Sequence, residues 1–170
     1  MLFLENNFFK SSSEKHTFLK EKILNEIKES PSKENVEDAK ISNQDWTIDR
    51  DVKRTYSETF KEIIREHLIE QTKFLHCSSC EIKNFWFQQY KNGDTHDWHT
   101  HPESQFSNIY FIECTKENST EFKKIGLPET FQIDIKEGEI LSFPSFYMHR
   151  SKPILDKSRK TVIAFNTCFL

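Results

Sequence analysis

Three histidines, His96, His99 and His101, fall within six positions just ahead of the apolar run Ile109 to Ile112. On an extended segment the side-chain period is two, so His99 and His101 share a face, which is how a strand offers two imidazoles to one metal ion. A third donor must come from elsewhere in the chain. His149 follows Gly138 to Ser145, a stretch that reads as turn, buried strand and strand end. Ten residues further on, Arg159 opens the run Lys160 to Leu170. By the same period Arg159 and Thr161 share a face and present a guanidinium fork and a hydroxyl to one carboxylate. The chemistry suggested is a metal held by imidazoles beside a cationic pocket for an anion. Clustered histidines alone are often surface accidents, but a cation at the mouth of an otherwise apolar run usually has an anionic partner.

These residues resemble the Fe(II)- and 2-oxoglutarate-dependent oxygenases, most closely their small prolyl-hydroxylase-like members of bacterial and phage type. The matching elements are His99-x-His101, the distal His149, and Arg159-x-Thr161, and the likeness runs from about Asp45 to Asn166. The resemblance implies that His99, His101 and His149 hold Fe(II), that Arg159 with Thr161 grips the distal carboxylate of 2-oxoglutarate, and that Tyr90 bonds its chelated end. It also implies O2 as co-substrate, ascorbate in support, and a peptide or metabolite as substrate. Asn166 matches a position late in the last strand, either beside the site or structural.

Two features depart from the family pattern. His101 stands where a carboxylate ligand is usual; iron accepts imidazole, and the bare site then carries one more formal positive charge. Phe111 stands where many relatives carry a tyrosine that touches the co-substrate tail. Two other registers remain open: His101-x-Glu103 restores a carboxylate, and Asp97-x-His99 is a third pairing. Pro102 fits better just after a strand end than between two ligands, which favours His99 with His101. Other classes also stay open: a cupin-like three-histidine dioxygenase that does not use 2-oxoglutarate, with Arg159 gripping its substrate, and a non-catalytic metal-binding roll.

Composition bounds the answer. A chain of 170 residues is long enough for one domain with a proper core, and 16 Phe, 4 Tyr and 3 Trp make that core aromatic. A net charge of -3 with interleaved Lys and Glu shows no basic face for nucleic acid. There is no apolar window long enough to span a bilayer and no secretory leader pattern, so the expected location is cytoplasmic, where Cys77, Cys80, Cys114 and Cys168 stay reduced. Cys77 and Cys80 lack the second pair that a zinc site needs and read as thiols in a loop.

The elements that must position these groups follow from periodicity. Ser12 or Ser13 is expected to cap a helix reaching Glu29, with Phe18, Ile23, Leu24 and Ile27 as its stripe. A second helix over Val52 to Phe74 carries Tyr56, Phe60, Ile63, Ile64, Leu68 and Ile69. From Cys80 onward seven strand-like runs are expected: Ile82 to Tyr90, Ser107 to Cys114, Glu121 to Lys124, Phe131 to Ile135, Glu139 to Phe143, Tyr147 to Ser151 and Lys160 to Leu170. Such texture suggests a sandwich or barrel; Tyr90 and Trp98 are candidates to line its mouth. The fold class is α+β, mainly β, and the resemblance makes it a double-stranded β-helix, or jelly roll. Residues 1–170 then form a single oxygenase domain, with about 1–75 as helical support, its two helices packed on one sheet, and about 80–170 as the core.

Overall fold

A computed structural model describes residues 2–4, 7–34, 39–155 and 157–170. Along the chain run β1 (Leu2–Leu4), β2 (Phe8–Ser12), α1 (His16–Glu29), β3 (Ala39–Lys40), β4 (Asn43–Gln44), α2 (Ser57–Phe74), β5 (Cys80–Tyr90), β6 (Thr95–His99), β7 (Phe106–Glu113), β8 (Thr120–Lys123), β9 (Thr130–Gln132), β10 (Glu139–Pro144), β11 (His149–Ser151) and β12 (Lys160–Phe169). The strands form a seven-stranded sheet, β1-β2-β10-β7-β12-β5-β4, and a five-stranded sheet, β3-β6-β11-β8-β9. Neighbouring strands in both run antiparallel.

The large sheet is buried on both faces, so its strands read as continuous apolar runs rather than an alternating pattern. On one face Phe87, Tyr110, Ile140, Ile163 and Phe165 meet Ile23 and Ile27 of α1 and Phe60, Ile63 and Ile64 of α2. On the other, Phe111, Leu141, Phe143 and Val162 pack with Phe122 of the small sheet and with Phe8. β12 makes the division explicit, since Ile163 and Phe165 belong to the helix side and Val162 to the side between the sheets. Burying each such side chain contributes about 1.5–3 kcal/mol, and truncating Phe60 to alanine costs about 3–5 kcal/mol.

The N-terminal part is not purely helical. β2 pairs with β10 at the edge of the large sheet, and Ser12 is its last residue, opposite Glu139. Ser13 donates its hydroxyl to the Ile63 carbonyl at 3.1 Å. Neither serine caps the helix, which opens at His16 without a side-chain cap. α2 likewise begins at Ser57, five residues after Val52.

Behind the large sheet lies a buried polar seam. Ser142 donates to Asn108 Oδ1, and Asn108 Nδ2 donates to the Phe165 carbonyl at 3.0 Å and to Thr167 Oγ1 at 3.1 Å. His67 Nε2 meets Ser142 Oγ at 2.6 Å and His67 Nδ1 meets Ser11 Oγ at 2.6 Å. With the Ser142 proton spent on Asn108, His67 must donate from Nε2 and accept at Nδ1, so its neutral form satisfies both bonds. No helix of the described residues is long and apolar enough to cross a membrane.

Candidate metal centre and adjoining cavity

β6 and β11 are neighbours in the small sheet, and their register sets His149 directly opposite His99. His101 lies two residues beyond the end of β6, where its main-chain N–H donates to the Ser145 carbonyl at 3.1 Å. One ligand atom from each of His99, His101 and His149 lies within 4.8 Å of the others. A metal–imidazole bond is about 2.0–2.1 Å, so small side-chain rotations bring the three onto one ion.

Two of the three rings are already oriented. His99 Nδ1 donates to the Asp97 carbonyl at 2.7 Å and His149 Nδ1 to the Tyr147 carbonyl at 2.9 Å. A carbonyl only accepts, so each Nδ1 carries the proton and each Nε2 keeps its lone pair for a metal. Burial holds His99 and His149 below the ordinary imidazole range and pushes His101 down to about 4. The imidazoles are therefore neutral near pH 7, and a cation need displace no proton.

His96 also faces this space, which simple alternation forbids for a residue three before His99. The cause is a bulge: His149 and Ser151, two apart on β11, oppose His99 and His96, three apart on β6. The His96 ring stacks on His99 at 3.9 Å, and Gln88 Nε2 lies 3.4 Å from His96 Nδ1. Trp98 points the other way and lies between Lys123 and Arg150, with its ring centroid 4.7 and 4.5 Å from their charged groups. It does not line the mouth. Glu103 lies outside the three-histidine cluster, on the wall of a neighbouring groove.

From the histidines a narrow cavity of about 30 Å³ runs between the sheets past Gln88, Tyr90 and Ser151 to Lys160. Arg159 and Thr161 do not reach it. Both bind Glu113, Arg159 through Nε at 2.8 Å and Nη2 at 2.7 Å and Thr161 through its hydroxyl. With 159 and 161 on one face of the strand, 160 is on the other, and that other face lines the cavity. Lys160 is 2 % exposed and donates from Nζ to Ser151 Oγ at 3.0 Å, with Nζ 5.4 Å from the Tyr90 ring centroid and 6.0 Å from that of Phe111. No carboxylate neutralises it among the described ion pairs, and burial pushes its ammonium down to about 8. The sequence reading missed Lys160; its signal was a lysine inside an apolar strand. Asn166 lines the cavity, accepting from Ser107 Oγ at 3.1 Å and donating to Asn84 Oδ1 at 2.9 Å.

Residues 84–166, which include His99, His101, His149 and Lys160, match the family described as "Putative 2OG-Fe(II) oxygenase". This stretch, 83 of the 170 residues, is that of a 2OG-Fe(II) oxygenase. Fe(II) is the metal and 2-oxoglutarate the co-substrate of this oxygenase, and the neutral three-imidazole set fits the metal. No curated protein sequence matches the chain significantly. Among solved structures it is similar to an oxidoreductase of the 2OG-Fe(II) oxygenase family from Burkholderia pseudomallei, with a TM-score of 0.74 at 10% identity, covering 96% of this chain and 86% of that one. It is similar also to a prolyl hydroxylase from Trichoplax adhaerens in complex with a hypoxia-inducible-factor peptide (TM-score 0.68, 12% identity, 96% and 84% covered). A third is HygX from Streptomyces hygroscopicus with nickel and 2-oxoglutarate bound (TM-score 0.68, 8% identity, 94% and 82% covered). At such identities the likeness is one of fold.

Proposed function

We propose that this oxygenase hydroxylates a peptidyl or small-molecule substrate, consuming 2-oxoglutarate and O2 and releasing succinate and CO2. The observation that carries the reading is a single cavity with three neutral imidazoles at one end and a buried, carboxylate-free lysine at the other. A buried ammonium is costly to keep charged unless an anion joins it, so the Lys160 end is suited to a carboxylate. His99, His101 and His149 hold iron, which when bound supplies the oxidising chemistry. Lys160 takes the distal carboxylate of the co-substrate, the role the sequence had assigned to Arg159 and Thr161. Ser151, now bonded to Lys160, offers its hydroxyl to the same carboxylate. Tyr90 bounds this end, where the face of its ring supports the ammonium.

The strand order supports reading the core as a jelly roll. From β5 to β12 the chain alternates between sheets except at the β8–β9 hairpin, placing β10-β7-β12-β5 in one and β6-β11-β8-β9 in the other. That arrangement puts His99 and His149 on neighbouring strands of one sheet and Lys160 on the facing one. The cavity is tight, so a five-carbon diacid enters only as Lys160 and its neighbours give way. Anaerobic addition of Fe(II) and then 2-oxoglutarate tests the reading through the visible metal-to-ligand charge-transfer absorption. The band should form with the native chain and need far more 2-oxoglutarate with Lys160→Met. A band that forms equally in both removes Lys160 from the site, and O2 uptake that ignores 2-oxoglutarate favours a three-histidine dioxygenase of the cupin kind.

A further inference from the structure

A second groove of about 630 Å³ opens beside the metal centre and shares Trp86, His101 and Asn166 with the cavity already described. Its volume lies in the range of ligand sites, roughly 300–1,000 Å³. One wall is the loop Thr100 to Ser104, and another is formed by five consecutive residues of β5, Ile82 to Trp86. A wall made by every residue of a strand, rather than every second one, is a strand edge seen end on.

The pairing confirms that this edge is open. β12 covers one side of β5 along its whole length, whereas on the other side β4 pairs only with Gln88 and Gln89. The Phe87 N–H points to that uncovered side, where Asp45 Oδ1 accepts it at 2.7 Å. By alternation the main-chain N–H and carbonyl of Phe85 face the same way. Lys83 falls at a register break, where β12 passes from Asn84 to Ile82. Among the described residues no strand pairs with this stretch, although it forms the floor of a groove that ends at His101.

Charge marks what the edge would receive. Arg50, Arg54, Lys61 and Lys83 line the groove against a single carboxylate, Glu103. Arg54 is committed to Asp45 at 2.8 Å. Lys61 and Lys83 contact Glu58 and Glu81 only through exposed pairs, which hold their ammonium groups weakly. Trp46, 52 % exposed, packs edge-on against Trp86 at 5.0 Å and supplies an apolar wall. The indole N–H of Trp86 is buried without a partner.

We propose that the substrate is an extended acidic peptide that adds to the open edge of β5 as a further strand. Main-chain bonds to Phe85 give it affinity, and alternate side chains give it specificity. The residue opposite Trp86 shares that residue's face and is delivered to the metal, with Trp86 Nε1 donating to a peptide acceptor. Its two neighbours point to the opposite face, toward Lys61 and Lys83, and carry carboxylates. This inference rests on the oxygenase reading and narrows its substrate.

The test uses the intact chain with Fe(II) and 2-oxoglutarate under anaerobic conditions, and a bead library of randomised heptapeptides. Selected peptides should carry Asp or Glu on both sides of one position. N-methylation of successive amides in a selected peptide should weaken binding about tenfold at the position paired with Phe85 and leave its two neighbours unchanged. Lys61→Glu combined with Lys83→Glu should lower affinity roughly tenfold, while the charge-transfer band with 2-oxoglutarate stays as in the native chain. A flat N-methyl profile, no acidic enrichment, no selected peptide at all, or oligothymidylate outcompeting every peptide would overturn the proposal. If the band itself fails to form, the oxygenase reading fails instead, and the N-methyl profile still reports on the edge.

Discussion

Lys160 and Tyr90 are cross-strand partners on β12 and β5, and the lysine ammonium lies 5.4 Å from the tyrosine ring centroid, sealed between the sheets. The buried charge has the rings of Tyr90 and Phe111 and one serine hydroxyl beside it but no counter-ion among the described residues, and the remaining electrostatic demand falls on whatever enters from the metal end.

Lys160→Met should therefore weaken 2-oxoglutarate binding by about 10- to 100-fold or more, the worth of a charge-assisted hydrogen bond at about 1.5–3 kcal/mol, with Fe(II) affinity nearly unchanged. Arg159→Ala breaks a partly exposed, two-pronged ion pair with Glu113 and should cost about 1 kcal/mol of stability, with 2-oxoglutarate affinity untouched. Titration of both variants by the charge-transfer band checks the pair. The reverse pattern would restore the arginine to the site.

The ammonium held down to about 8 gives a pH dependence. Below that value the free protein offers a cation. Above it, binding must first recruit a proton, so 2-oxoglutarate affinity should fall by up to about tenfold per pH unit as pH rises past 8. Lys160→Arg keeps its charge and should flatten that limb, as dissociation constants measured between pH 7 and 9.5 would reveal.

His99→Ala and His149→Ala should each abolish Fe(II) binding, because no other donor of the described cluster replaces the lost imidazole. His101→Ala should weaken iron without eliminating it, and His101→Asp should retain it, since a carboxylate is an acceptable ligand at that position. Equilibrium dialysis measures all four. Loss of iron in Glu103→Ala with retention in His99→Ala would instead establish the His101-x-Glu103 register.

His67 tests the polar seam. Burial pushes its pKa down to about 3 in the folded chain, against 6.5 for an unperturbed histidine. A depressed folded value means that the unfolded chain binds the extra proton. The contribution is thus complete above about pH 6.5 and lost as pH falls towards 3, at up to about 1.4 kcal/mol per pH unit. His67→Gln should be less stable by about 1–3 kcal/mol at pH 7 and show a shallower acid limb in urea unfolding.

How far the sequence reached can be judged from particular residues. His99 and His149 were legible from residue type and spacing, and each stands at the end of its strand, directly opposite the other. His101 was found by a period-two argument although it lies beyond the strand end, where a backbone bond to Ser145 rather than pleating sets its place. His96 was not legible as an inward residue, because a bulge is a property of two strands together and only one of them contains the extra residue. Arg159 faces Glu113 and its neighbour Lys160 faces the cavity, a difference of a single step of parity: at the start of a strand buried on both faces, hydrophobicity does not say which face is which. β2 escaped notice because five residues with a polar end carry too short a pattern, and β10 supplies the edge that makes them a strand.

The two imidazoles fastened through Nδ1 are tied to the carbonyl of the residue two earlier in the chain, not to a side chain. No point substitution deletes a carbonyl, so this orientation survives almost any change in the surrounding sequence. His101 has no such tether among the described bonds, and its ring leans on Trp86 at 5.6 Å. Mutational drift can therefore rework the groove while two-thirds of the metal cage is inherited with the backbone. The third ligand is the one whose chemical identity evolution is free to exchange.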